Sequence, residues 1–225
     1  MKYVIALILL LAMVLGFPAA SASAESRQSA FDVLPMSEPN PENDFGIDMN
    51  VNMDTIDGYL DLSDAVYRDM RMSVDPYDYD AIGGSSIASA TIAGFSMVPY
   101  PKLAPCLGMP EALGEGYAGP TLFSVDENGS YRANYAESME ILERVFPKDK
   151  AVLLMCGAGG YAGMTKNLLA GLGWNEDLII NVGGYWSYHG DHSVSILSED
   201  SGNGLYGFCG IEFYDIDFTH LTPAQ

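Results

Sequence analysis

The alternation of apolar and polar positions along the chain predicts strands that alternate with helices. Residues 151–155 and 178–182 are apolar at nearly every position, which is typical of strands buried on both faces of a parallel sheet. Helical spacing of apolar residues is found in residues 136–146 and again after residue 160. The pattern therefore predicts an α/β domain with a mainly parallel central sheet flanked by helices.

Turn signals divide the remainder of the domain into shorter elements. Residues 65–71 predict a strand that ends in charge, and residues 91–99 predict a turn followed by a short strand that a proline ends. Asn128-Gly129 predicts a β-hairpin within residues 121–135. Gly173 is predicted to end the helix that follows residue 160.

The first residues of the chain have the composition of a secretory leader. A nearly continuous apolar stretch, residues 3–17, follows Lys2, and Ala22-Ser23-Ala24 has the small-x-small pattern of a cleavage site. We predict a signal peptide over residues 1–24 and export to a periplasm or the medium, with a retained membrane anchor as the alternative. Residues 25–43 are polar and rich in proline, and we predict a flexible linker there.

Charge and cysteine content narrow the classes of partner. The chain has 10 Lys and Arg against 30 Asp and Glu, a formal net charge of −20. This balance argues against nucleic acid and anionic membrane surfaces as partners, and no second apolar stretch is long enough to span a bilayer. Three cysteines leave at least one thiol unpaired, and a Cys106–Cys209 disulfide, which the sequence leaves open, would leave Cys156 free.

The candidate chemistry lies where the apolar run of residues 151–155 stops. Cys156 ends this run, and Gly157, Ala158, Gly159 and Gly160 follow before the predicted helix. This order places a thiol over backbone N–H groups at a helix N-terminus, where a thiolate or a bound anion is stabilised. The alternative interpretation is a buried, inert thiol.

Two other cysteine chemistries fit the sequence less well, and a third stays open. A cysteine phosphatase requires an arginine six positions after the nucleophile, where this chain has Ala162, and thioredoxin-type exchange requires a second cysteine where it has Gly159. A cysteine hydrolase requires a partner histidine, and the candidates lie far downstream: His189, His192 and His220.

Two segments have the composition of metal sites. Residues 48–54 alternate Asp and Asn like a calcium loop, but Met53 and Tyr59 occupy the positions of the required glycine and glutamate, which favours an acidic loop that leads to a short helix. Residues 189–192 place two histidines beside an aspartate, and here we favour a solvent-exposed loop over a metal site. We predict neither a metal nor a cofactor.

Four stretches, taken in order, resemble a rhodanese-like domain of the sulfurtransferase family. Residues 67–71 resemble its D-x-R strand end, and residues 91–99 resemble its G-H-I-x-G-A…I-P segment. Residues 156–161 resemble its active-site loop, and residues 181–186 resemble its N-x-x-G-G-x-x-x-W tail with shortened spacing. The resemblance implies a three-layer domain over residues 44–195 with an insertion at about 101–135, followed by a C-terminal extension, residues 196–225, packed on the domain.

The resemblance also implies a mechanism. Cys156 would be the nucleophile that carries sulfane sulfur as a persulfide and passes it to a thiol or to cyanide. The loop from Gly157 to Tyr161 would bind the outer sulfur through backbone N–H groups, including those of Ala158, Gly159 and Gly160. Asp69 and Arg71 would support the site, and the partner would be a small sulfur donor or a protein thiol or persulfide.

The chain departs from the family pattern in its charge. The loop has no Arg or Lys, and Thr91 replaces the histidine of the G-H-I segment. Thiosulfate is therefore a poor candidate donor, and a persulfide or a protein thiol fits better. The nearest cations in the sequence are Arg71, for which we favour a structural ion pair with Asp69 or a neighbour, and Lys166, for which we favour a solvated helix face. The alternative function is a catalytically weak module that binds a partner protein through residues 101–135.

Overall fold

The centre of the molecule is a four-stranded parallel sheet, whose strands lie side by side in the order Ser96–Met97, Ala65–Asp69, Ala151–Cys156 and Ile179–Gly184. The computed structural model describes residues 27–72, 88–107, 117–196 and 211–224. Its strands are β1 (Ala65–Asp69), β2 (Ala90–Ile92), β3 (Ser96–Met97), β4 (Phe123–Val125), β5 (Tyr131–Ala133), β6 (Ala151–Cys156), β7 (Ile179–Gly184) and β8 (Ser193–Ser195). The parallel sheet confirms the α/β prediction.

Within the described ranges, four α-helices accompany the strands: α1 (Ala30–Val33), α2 (Tyr100–Leu103), α3 (Ser138–Val145) and α4 (Gly160–Gly171). Short 3-10 turns cover Ile56–Tyr59, Glu176–Leu178, Tyr185–Ser187 and Phe218–His220. The α4 helix ends in a Schellman motif, since the Trp174 N–H donates to the Leu169 carbonyl and Gly173 has a φ of +93°. The prediction that Gly173 ends this helix is confirmed.

The central strand β6 is buried on both faces. Val152, Leu154 and Cys156 pack in a core with α2, α3 and α4. The intervening residues, Leu153 and Met155 among them, pack in a second core on the opposite face. Two cores on one sheet explain why the sequence of β6 is continuously apolar rather than alternating.

The N-terminal segment supplies much of the layer over the second core, with Ile92, Phe95 and Tyr188 completing it. Ala30 of α1 and Ile56 are completely buried against the sheet, and Ser29 bridges to Ser63. The Lys166 amine also donates to the Ser37 hydroxyl at 2.7 Å. The described part of the predicted linker, residues 27–43, is thus packed on the domain. Its contacts join residues far apart in the chain, which local composition does not report.

The region predicted as an insertion contributes to the helical core. β4 and β5 form the antiparallel hairpin that Asn128-Gly129 predicted, and Leu122 and Phe123 are completely buried. Residues 108–116 lie outside the described residues. The hairpin is therefore part of the domain rather than an appendage on its surface.

Residues 211–224 extend the sheet at its β3 edge. The Met97 N–H donates to the Glu212 carbonyl at 2.9 Å, and the Tyr214 N–H donates to the Met97 carbonyl at 2.8 Å. The Ala136 N–H donates to the Thr222 carbonyl at 2.9 Å. The described part of the C-terminal extension therefore covers a strand edge that would otherwise present unpaired backbone groups.

Two sequence predictions concern residues outside the described ranges. The predicted leader, residues 1–24, and Cys209, half of the possible disulfide with Cys106, both lie there. Among the described residues, no helix has the length and apolar character needed to cross a membrane.

Candidate functional site

The carboxyl ends of β1 and β6 bring the predicted site residues to one edge of the sheet. Asp69 ends β1 beside Met155, and Cys156 ends β6 in the next position. The Gly159 N–H donates to the Cys156 Sγ at 3.1 Å, and the thiol-bearing residue is only 3% exposed. Gly159 caps α4 with a φ of +101°, a conformation that favours glycine. The thiol thus lies at the N-terminus of α4.

Two opposing effects act on the Cys156 thiol. Burial raises the pKa of Cys156 above its ordinary value, because the thiolate loses hydration. The backbone N–H groups of Ala162, Gly159 and Ala158 lower this pKa by hydrogen bonding to the sulfur, and the negative charge of Asp69 raises it further. The net result is a thiol that stays protonated at neutral pH but faces several donors once it ionises.

The loop residues differ in what they contribute. The Gly159 N–H donates to the sulfur, and the N–H groups of Ala158 and of Ala162, which lies one residue beyond the predicted loop, act to lower the pKa of the thiol. The Tyr161 ring packs in the helical core and stacks on Tyr100 with 5.7 Å between centroids. The tyrosine side chain therefore anchors α4 in the helical core.

The glycines allow a close approach of β7 and the loop. A Cβ on Gly184 would lie 2.1 Å from the Gly157 carbonyl oxygen, and a Cβ on Gly157 would lie 2.7 Å from the Trp186 ring. The backbone N–H of Trp186 donates to the Gly157 carbonyl oxygen at 3.1 Å. Trp186 thereby packs directly against the cysteine loop. Gly160 opens α4 and is buried.

Asp69 and Arg71 form a buried ion pair beside the thiol. The Arg71 Nε donates to both Asp69 oxygens at 3.0 and 3.1 Å, and one terminal nitrogen donates to Asp69 at 2.5 Å and to the Ala90 carbonyl at 2.6 Å. The Thr91 hydroxyl donates to Asp69 at 2.9 Å. The Tyr185 ring lies 4.7 Å from the guanidinium carbon. Arg71 is therefore engaged along one edge and over one face.

The charge of Arg71 acts on the thiol from within this pair. Burial works to lower the pKa of Arg71, but the charge and hydrogen bonds of Asp69, with a smaller contribution from Cys156, raise it above its ordinary value. Arg71 therefore stays charged, and its field reaches the sulfur. Because Asp69 acts on the same sulfur with the opposite sign, the pair supplies little net positive charge.

Lys166 does not occupy the solvated helix face that the sequence predicted. Lys166 is only 6% exposed, and its amine donates to the Ser37 hydroxyl. Burial lowers the pKa of this amine. The N-terminal segment covers this side of α4, so the prediction of a solvent-facing lysine was wrong. Lys166 joins α4 to the N-terminal layer.

The two candidate metal segments use their carboxylates in other ways. The buried Asp48 accepts backbone N–H bonds from Glu38, Asn50 and Val51, as expected for a structured acidic loop. Near residues 189–192, Asp57 accepts the Tyr188 hydroxyl at 2.6 Å. Within the described ranges, no group of three or more His, Cys, Asp or Glu residues has the arrangement of a metal site.

Sequence reasoning missed Ala162 and Tyr185. Ala162 has no reactive side chain, and only its place in the first turn of a helix that follows a cysteine loop would have indicated an N–H donor. Tyr185 was part of the glycine-tryptophan tail, but its position over Arg71 depends on a contact between residues 114 positions apart, which no local pattern encodes. 

The fold and the site together define a class of protein. The chain is an α/β protein with a buried cysteine at a strand-to-helix junction, N–H donors around the sulfur and a neutralised arginine beside it. No family model, curated protein or solved structure matches the chain.

Proposed function

We propose that the protein is a rhodanese-like sulfurtransferase or persulfide carrier with Cys156 as the nucleophile. The observation that carries this proposal is the position of the Cys156 sulfur at the N-terminus of α4, where the Gly159 N–H donates to it at 3.1 Å and the N–H groups of Ala158 and Ala162 act to lower the pKa of the thiol. Such donors stabilise negative charge on a thiolate or on a sulfur atom attached to it. The uncharged loop offers no side-chain acid or base, so it suits a group that carries sulfur rather than one that hydrolyses a bond.

The proposed reaction has two balanced steps. The Cys156 thiolate attacks the outer sulfur of a donor persulfide, R–S–SH; a bond forms between the two sulfurs, and the donor leaves as the thiolate R–S⁻. An acceptor thiolate, or cyanide, then attacks the outer sulfur of Cys156–S–SH and releases the Cys156 thiolate. When the acceptor is a thiol, the outer sulfur keeps its proton during the transfer. When cyanide is the acceptor, this proton is released to solvent as thiocyanate forms.

The test is sulfur transfer with a matched cysteine control. Wild-type protein, Cys156→Ala and Cys106→Ala are incubated with a sulfane donor, cyanide captures the outer sulfur, and intact mass detects one added sulfur atom. We expect loading and turnover in the wild type and in Cys106→Ala and their loss in Cys156→Ala. Equal turnover in the wild type and Cys156→Ala would refute the proposal.

A second candidate function is a weakly catalytic module that binds a partner protein. Two observations favour it: Cys156 is only 3% exposed, and burial raises the pKa of its thiol. Both features oppose attack on a small donor in solution. Failure of every donor to load sulfur on correctly folded wild-type protein would favour this function.

A further inference from the structure

Every lysine and arginine after the predicted leader lies in the described residues, so the positive charge of the protein can be located. The sequence has ten such residues, and Lys2 is the one in the leader. Five pair with carboxylates: Arg27, Arg71, Lys102, Arg132 and Lys148. The buried Arg68 donates to the Val145 and Tyr67 carbonyls, and Lys166 donates to Ser37.

The two remaining cations lie away from the thiol. Lys150 precedes β6, and Cys156 ends it, so at about 3.3 Å per residue the strand separates them by roughly 20 Å. Arg144 lies in the last turn of α3, and its positive charge works to lower the pKa of Tyr214 in the C-terminal segment, which burial raises. In the described chain, Arg71 is the cation beside the sulfur, and Asp69 offsets its charge. A small anionic donor thus finds little net positive charge there.

Aromatic rings, rather than further cations, lie next to the cysteine loop, and carboxylates follow in the turn after them. Trp186 packs on Gly157, and the half-buried Tyr185 stacks with Tyr188 at 6.1 Å between centroids. The turn that continues from Trp186 binds Asp57 through the Tyr188 hydroxyl and includes the exposed Asp191. Aromatic faces and carboxylates both attract a cation. The net charge of −20 acts in the same direction at longer range.

We propose that Cys156 exchanges sulfur with thiols that carry positive charge close to the sulfur, and discriminates against anionic ones. This inference rests on the proposed persulfide function and names its substrate class. In the exchange, a cationic thiolate attacks the outer sulfur of Cys156–S–SH; the new S–S bond forms on the acceptor, and Cys156 leaves as a thiolate. The shared chemistry is an ammonium or guanidinium group beside the thiol, either in a small aminothiol or in a basic peptide.

The test measures how thiols of different charge discharge protein that already carries the persulfide. The probes are cysteamine, which is cationic, 2-mercaptoethanol, which is neutral, and 3-mercaptopropionate, which is anionic. Each rate is corrected for the concentration of thiolate. It is then divided by the rate of the same thiol with a small-molecule persulfide, which removes differences in intrinsic reactivity. We expect cysteamine to react at least about tenfold faster than 3-mercaptopropionate at low ionic strength. Screening by about 0.5 M salt should shrink this ratio. Equal rates, or a faster anionic thiol, would overturn the inference.

Two peptide probes identify the source of the positive charge. A Lys-Cys-Lys peptide and a Glu-Cys-Glu peptide are compared in the same assay. A Lys-Cys-Lys rate well above that of cysteamine supports a basic polypeptide as the partner, whereas a rate equal to cysteamine supports a small aminothiol. A Glu-Cys-Glu peptide that reacts as fast as Lys-Cys-Lys contradicts the inference.

A charge substitution in the loop completes the test. Ala158 is half-buried and is the loop position to change, because Gly157 meets Trp186 and Gly159 has a positive φ. We expect Ala158→Arg to raise the rate of 3-mercaptopropionate relative to cysteamine about tenfold, and Ala158→Gln to keep the wild-type order. The same reversal in Ala158→Gln would refute charge as the cause. Failure of the proposed function shows itself earlier, as protein that never acquires the sulfur.

Discussion

Cys156 is held in surroundings that oppose its ionisation yet stabilise the anion when it forms. Burial removes water from the thiolate, and the nearby Asp69 adds repulsion, so the pKa of Cys156 is raised. N–H groups at the start of α4 partly offset these effects. A thiol of this kind is slow to react at neutral pH but has a prepared site for charge on sulfur.

The raised pKa gives Cys156 a defined pH dependence. Since the reactive species is the thiolate, the alkylation rate with iodoacetamide should rise with pH, with a midpoint above the value of about 8.5 for free cysteine. Mass spectrometry of the Cys156 peptide measures the rate, with N-acetylcysteine as the reference in the same tubes. A midpoint near or below neutral pH would show that the helix N-terminus outweighs burial.

At the scale of elements, the cysteine loop is shaped by its contact with the end of β7. The Asn181 amide donates to the Gly159 carbonyl at 3.0 Å and to the Phe45 carbonyl at 2.9 Å. Its oxygen accepts the Gly183 N–H at 3.0 Å. One side chain in β7 thus connects the loop, its own strand and the N-terminal layer, so displacement of β7 would disturb the cradle around the sulfur.

Gly184→Ala tests this contact. The added methyl would meet the Gly157 carbonyl oxygen at 2.1 Å, a backbone atom that no rotamer change can move, so we expect a loss of about 3 kcal/mol in the free energy of unfolding. The matched control is Gly58→Ala. Gly58 is exposed with nothing within 4 Å of the added carbon, so its effect should stay within about 0.5 kcal/mol. Urea unfolding measures both, and equal midpoints would argue against close packing of β7 on the loop.

At the scale of the whole molecule, negative charge dominates. With a net charge of −20, carboxylates repel one another in the folded state more than in the expanded unfolded chain. Individual surface pairs such as Arg27–Asp61 and Lys148–Glu143 are exposed, so each adds little stability. Repulsion should therefore outweigh surface pairing.

This balance predicts that moderate salt stabilises the protein. Screening of repulsion by sodium chloride should raise the free energy of unfolding by about 1 kcal/mol, which for a chain of this size shifts Tm by about 2–4 °C. A thermal melt at increasing salt measures the shift, and a matched sucrose series separates screening from general solute effects. A Tm that falls with salt would mean that ion pairs contribute more than repulsion removes.

The success of sequence reasoning depended on the range of the interactions involved. Continuous apolar runs identified β6 and β7, and Asn128-Gly129 identified the hairpin, because these signals arise from neighbouring residues. Lys166 was misjudged because its partner, Ser37, lies 129 positions away. The packing of residues 27–43 was missed for the same reason: polar, proline-containing composition does not report contacts with a distant sheet.

For the candidate site, the sequence by itself determined the order of strand, cysteine, glycine-rich loop and helix, and with it the placement of a thiol at a helix N-terminus. These features follow from local periodicity and from the backbone freedom of glycine. Only the tertiary structure decided how deeply Cys156 is buried and that the Tyr185 ring lies over Arg71, whereas the Asp69–Arg71 ion pair was favoured from the sequence. Burial and the ring contact depend on which distant residues the fold brings together, so they are properties of the folded chain.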